Sequence, residues 1–119
     1  MYTDIKQSII QIGKFLERKR FTIATDGNIS VKCSENELLI TASGVCKGRM
    51  TEEDILLCDL DGRSTADKPV TSEINLHTMI YRQRPDARAV IHAHPEFAIT
   101  CSMIGINLIN PQIPEILMA

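Results

Sequence analysis

The chain has 119 residues, 44% of them apolar, which suits one compact domain with enough apolar material for a core. Thirteen basic residues against fifteen acidic ones leave a net charge of −2 with both signs scattered, which argues against nucleic acid as a partner. No basic-then-apolar leader opens the chain and no apolar run approaches the roughly 20 residues of a membrane span, so a cytoplasmic protein without a membrane partner is expected.

From Thr3 to about Lys19, Ile5, Ile9, Ile12, Phe15 and Leu16 recur at helical spacing and predict an amphipathic first helix. Thr25-Asp26-Gly27-Asn28 is a turn signal, and Ile29 to Cys33 alternates like a half-buried strand. Glu35-Asn36 turns the chain into a second strand, Leu38 to Thr41, so a hairpin is expected; the loop Ser43-Gly44 follows. Thr51 is placed to cap the acidic turn Glu52-Glu53-Asp54. Ile55 to Asp59 reads as a strand and Asp61-Gly62 as a two-residue hairpin turn. Ser72 to Arg84, closed by Pro85, predicts a second helix with Ile74, Leu76, Met79, Ile80 and Tyr81 as its apolar residues. Ala89 to Ala93 is a short apolar run ending in His94-Pro95, and Pro95 is expected to open a helix reaching about Ile104.

The order of helix, antiparallel strands, helix, strand, helix predicts an α/β or α+β layered domain with a mainly antiparallel sheet. Pro114-Glu115-Ile116-Leu117-Met118-Ala119 reads as the opening turn of a helix that stops before it can bury a face. Residues 1–119 are therefore expected to form a single, partial domain.

His92-Ala93-His94 is the sharpest local signal. Residues two apart on a strand project to the same side, so the two imidazoles can converge on one ion such as zinc, although a pair of hydrogen-bonded histidines at a strand end reads equally well. His77, in mid-helix, reads as a surface or packing residue. Glu73 starts the second helix, where the helix dipole favours a carboxylate whether or not it reacts; beside a metal and partly buried, its pKa could move into the range of a general base. Gly27-Asn28, Ser43-Gly44 and Thr71-Ser72 are each ordinary turns or caps taken singly, and a phosphate site if they converge. The four cysteines, Cys33, Cys46, Cys58 and Cys101, are too widely spaced for CxxC chemistry and read as reduced structural thiols.

Taken together, TDGNIS at 25–30, ITASGVCKGRMTEEDILLCDLDG at 40–62 and KPVTSEINLHTMIYRQRPDARAVIHAHP at 68–95 resemble the class II aldolase and adducin-like family in order and spacing. The resemblance covers nearly the whole chain from about Ile5 and is nearest the members that cleave fuculose phosphate. It implies a three-layer α/β/α fold around a mainly antiparallel sheet, cut short here. It further implies a phosphate pocket made by Gly27, Asn28, Ser43, Gly44, Thr71 and Ser72. Glu73 would be metal-associated and the acid/base residue, and His92 and His94 zinc ligands; the family's third histidine ligand lies beyond residue 119. The implied reaction is zinc-dependent cleavage or formation of a carbon–carbon bond in a small sugar phosphate, giving dihydroxyacetone phosphate and an aldehyde, in a homotetramer.

Two departures stand beside the match. Asp26 occupies a position where many relatives have glycine, and no tyrosine lies between Asn107 and Ala119 where a proton donor is proposed in the aldolases. A pentulose-phosphate epimerase and a sugar-phosphate dehydratase are the nearest enzymatic alternatives, the epimerases tending to carry Asp in place of Glu73. A non-catalytic, adducin-like interaction module is the alternative of another class, and retention of Glu73, His92 and His94 argues against it. A chain ending at Ala119 is expected to have little aldolase activity by itself.

Overall fold

In a computed structural model, which describes residues 2–106, helix α1 spans Thr3–Arg18. Its buried line is Ile9, Ile10, Gly13 and Leu16, whereas Ile12 and Phe15, apolar by pattern, sit at the border and stay exposed. Gly13 sets this tilt. A Cβ there would collide with the Lys47 carbonyl and lie 2.6 Å from the Met50 methyl, so only glycine lets α1 settle onto the 3₁₀ turn Lys47–Arg49. From the last turn of α1, the Glu17 carboxylate accepts from the Gly48 N–H at 2.9 Å and the Cys46 thiol at 3.2 Å, tying down the segment that carries Lys47.

Strands β1 (Asn28–Ser34) and β2 (Glu37–Thr41) form the expected hairpin, with an irregularity between Lys32 and Ser34. Next comes a 3₁₀ turn at Glu52–Asp54, where the Asp54 carboxylate accepts from the Thr51 N–H at 3.0 Å and its hydroxyl at 3.2 Å. Strand β3 (Ile55–Cys58) pairs with β2, and β4 (Ala89–His92) pairs with β1, giving an antiparallel four-stranded sheet in the order β3-β2-β1-β4. Helix α2 covers Ile74–Gln83 and α3 covers Glu96–Met103.

Alternation along the strands divides the apolar residues between the two faces of the sheet. Ile29, Leu39 and Ile55 pack against Ile9, Ile10 and Leu16 of α1, while Leu38, Ile40, Cys58 and Val90 pack against Tyr81 of α2. The result is a layered α/β fold with the antiparallel sheet between α1 and α2.

Three expectations change. Asp61-Gly62 makes a turn, with the Gly62 N–H donating to the Asp59 carbonyl at 3.0 Å and Gly62 at φ 80°, but it does not join a β-hairpin. The chain beyond it crosses to the end of β2, where Val70 bridges Ala42. Helix α2 begins at Ile74 rather than Ser72, leaving Glu73 just outside it, and its buried residues are His77, Thr78 and Tyr81, with Leu76 and Met79 turned outward. Pro95 keeps an extended backbone (φ −62°, ψ 127°) and precedes α3 instead of forming its first turn. The helical turn expected at Pro114–Ala119 lies outside the described residues.

Candidate functional site

The site lies where β1, β4 and the start of α2 meet. Asn28 and His92 are direct cross-strand partners, and their side chains share the α2 face with Ser30 and Val90. Gly27 makes this junction possible: at φ 76°, it holds a conformation that side chains disfavour, and a Cβ would lie 2.7 Å from the His92 carbonyl oxygen and 2.6 Å from the Thr22 methyl. After His92 the chain leaves the sheet, and the His94 N–H donates to the Phe21 carbonyl at 2.7 Å. The two imidazole centroids stand 4.9 Å apart with their planes tilted by 46°.

Glu73 occupies the position that would cap α2, yet its side chain makes no cap bond. It reaches across to the sheet instead. Oε2 accepts from the Asn28 Nδ2–H at 2.6 Å and lies 2.5 Å from His92 Nδ1. No bond to Oε1 is formed among the described residues. Donation by Asn28 is the largest influence on the Glu73 carboxyl; burial opposes it, and the hydrogen bond from His92, with the charge effects of His92 and His94, helps to hold the pKa below its ordinary value. The shift therefore runs opposite to the one anticipated for a buried general base, and Glu73 is present as a carboxylate at neutral pH.

The six glycine-, amide- and hydroxyl-bearing residues Gly27, Asn28, Ser43, Gly44, Thr71 and Ser72 all line one cleft of about 310 Å³, together with Glu73 and His94. The Ser43 N–H is committed to Pro69 and the Thr71 N–H to Thr41, whereas the N–H groups of Gly44 and Ser72 have no partner among the described residues. Asp26 also lines the cleft.

Lys47 was not anticipated as a member of this site. It is 2% exposed, lines the cleft, and donates from Nζ to the carbonyls of Val45 at 2.6 Å and Thr25 at 3.1 Å, with no carboxylate at salt-bridge distance among the described residues. Burial lowers its pKa. The available signal was a lysine four residues after Ser43 in a glycine-bearing loop, which resembles an ordinary surface charge until the loop is seen pressed beneath α1.

Of the surface and packing readings of His77, the structure takes packing: the side chain is fully buried. Its ring lies 2.7 Å from Ser30 Oγ through Nδ1 and contacts Asn28 Oδ1 through Nε2, and Ser30 Oγ is 2.8 Å from the Tyr81 hydroxyl. Burial drives the His77 pKa down to about 4. Because the unfolded chain takes up this proton near the ordinary value of about 6.5, stability is complete above that pH and falls as the pH drops towards 4, by about 3 kcal/mol in all. Urea midpoints between pH 4 and 7 should show this acid limb in the native protein and a flatter one in His77→Gln; identical slopes would refute the assignment. All four cysteines are free thiols, and burial pushes Cys58 up to about 11.

The model of the Class II Aldolase and Adducin N-terminal domain matches residues 7–119. The chain belongs to this family. It is 38% identical over 109 residues to the L-fuculose phosphate aldolase of Methanocaldococcus jannaschii, covering 90% of this chain and 59% of that protein. With the methylthioribulose-1-phosphate dehydratase of Methylococcus capsulatus it shares 42% identity over 86 residues, which is 72% of this chain and 42% of the relative. The crystal structure of L-fuculose-1-phosphate aldolase from Thermus thermophilus superposes with a TM-score of 0.74 at 36% identity, over 87% of this chain and 52% of that one. This chain thus spans about half the length of the curated relatives it matches.

Within the family fold, two imidazoles and a carboxylate are nitrogen and oxygen donors of the kind that suit zinc. With Nδ1 of His92 turned to Glu73, Nε2 is the nitrogen left for an ion, the arrangement in which a carboxylate orients a metal-binding histidine. Among the described residues no three His, Cys, Asp or Glu side chains are grouped so as to hold an ion alone, so these residues fit part of a ligand set. No helix among them is long and apolar enough to cross a membrane.

Proposed function

We propose that this chain is the N-terminal part of a zinc-dependent lyase acting on a small sugar phosphate, an aldolase of the fuculose-phosphate type. The observation that carries the reading is Glu73, gripped at Oε2 by Asn28 and His92, with Oε1 left unengaged on a side chain that lines the cleft.

The substrate phosphate would take the N–H groups of Gly44 and Ser72 and the nearby hydroxyls of Ser43, Thr71 and Ser72, with the charge of Lys47 offsetting part of its own. Asp26 opposes this and restricts how the anion can sit. Glu73 Oε1 removes the proton from the carbon next to the ketone and returns it in the reverse direction. Asn28 and His92 keep the carboxylate from swinging between rotamers, so the base meets that carbon in one geometry. His92 and His94, with Glu73 beside them, would hold a divalent ion, which would supply Lewis acidity toward the negative charge developing on the substrate oxygens.

The dehydratase relative supports a second reading through the same base. Dehydration begins when Glu73 takes the proton from the carbon beside the ketone and the hydroxyl on the next carbon leaves as water; aldol cleavage begins with loss of the proton from that hydroxyl, the aldehyde departs, and Glu73 returns a proton to the carbon beside the ketone. Full-length, zinc-loaded protein should be given L-fuculose 1-phosphate and methylthioribulose 1-phosphate separately. Release of aldehyde and dihydroxyacetone phosphate from the first is expected. Water loss from the second alone would replace the aldolase by the dehydratase, and no turnover of either would remove the lyase reading. We further propose a homotetramer for the whole protein, which a measurement of its mass in solution tests.

A further inference from the structure

We propose that His77 is a positioning residue, the centre of a one-directional hydrogen-bond relay from Tyr81 through Ser30, His77 and Asn28 to Glu73 that decides which carboxylate oxygen is free to act. Every donor in the chain follows from one fact, that a carboxylate only accepts. Glu73 Oε2 therefore requires the NH₂ end of Asn28, at 2.6 Å. That turns Asn28 Oδ1 to His77, so His77 Nε2 must carry the proton. Nδ1 is then an acceptor and takes the Ser30 hydroxyl at 2.7 Å, which leaves Ser30 Oγ to accept from Tyr81 at 2.8 Å.

The relay is sealed: His77, Ser30 and Tyr81 are 0–2% exposed and Asn28 is 4% exposed, so water cannot supply a substitute partner. In this setting, reversing the Asn28 amide would place its oxygen against the carboxylate, acceptor on acceptor, and its NH₂ against the Nε2–H of His77, donor on donor, a costly mismatch in a buried network. Tautomer and amide orientation thus lock each other. The consequence at the surface is that Oε2 is the anchored oxygen and Oε1 the working one.

The catalytic part rests on the proposed lyase reading; the relay itself does not, and two measurements separate them. Long-range ¹H–¹⁵N correlation spectra of the full-length protein should show His77 as the neutral Nε2–H tautomer, and the Asn28 side-chain amide signals should shift in His77→Phe, which keeps a ring but no donor. In kinetics with zinc-loaded protein, His77→Phe should lower kcat by about 10- to 100-fold with little change in KM. His77→Gln, which presents an N–H near the Nε2 position, should recover most of that loss. A neutral Nδ1–H tautomer, or unmoved Asn28 signals, overturns the relay whether or not the protein turns over either sugar phosphate. Equal kcat for the Phe and Gln variants, or a loss confined to KM, overturns the positioning role.

Discussion

Glu73→Gln is expected to slow exchange of deuterium into the carbon beside the ketone of dihydroxyacetone phosphate by about 10²- to 10⁴-fold in the full-length, zinc-loaded protein. Proton removal from dihydroxyacetone phosphate is the first half of carbon–carbon bond formation and the reverse of the last step of cleavage, so the exchange reads the base of the aldolase without the aldehyde. Glutamine keeps the length of the side chain and an oxygen that can accept from Asn28, so the site should stay assembled while its base is lost. Because Asn28 and His92 hold the carboxyl below its ordinary pKa, the base form is already present in mildly acid solution. Exchange that survives in the variant at close to the native rate would remove Glu73 as the base.

Zinc is expected near one equivalent in the native full-length protein, and His92→Ala or His94→Ala should each reduce it to a small fraction of that. Removing one imidazole from a pair takes away a neutral nitrogen donor that hydroxyls and backbone carbonyls nearby do not replace in kind. Elemental analysis after dialysis gives the answer without any activity measurement. His77→Gln is the internal control: its histidine is sealed among Ser30, Asn28 and Tyr81, so metal content should hardly change. Full zinc retention in both HxH variants would sink the assignment of these two residues.

Much of the chain could be read locally because its signals are local. Hydrophobic spacing placed α1, the β1–β2 hairpin and β3 within a few residues of where they lie, and Thr51 with the acids after it marked a turn. The failures share a cause. The Asp61-Gly62 pair reports that the backbone turns, but not whether the segments on either side pair, and here Val70 is taken by Ala42 instead. Apolar spacing in α2 pointed to Leu76 and Met79, while the helix buries His77 and Thr78. A polar side chain is excluded from a core only while it lacks partners, and Ser30 and Asn28, far away in sequence, provide those of His77.

The residue types and their order alone established an α/β or α+β layered chain with a mainly antiparallel sheet, a closely spaced histidine pair, and three turn segments carrying groups of the kind an anion would need. Those properties follow from side-chain periodicity and from the chemistry each residue carries wherever it is placed. Tertiary structure decided the remainder: that Glu73 abandons its helix end for Asn28 and His92, that the three turns open on one cleft, that Lys47 lines that cleft, and that His77 is buried against Ser30 and Asn28. Distances between segments tens of residues apart depend on how the sheet packs between its helices, and that packing is a sum over the whole core rather than a property of any short stretch.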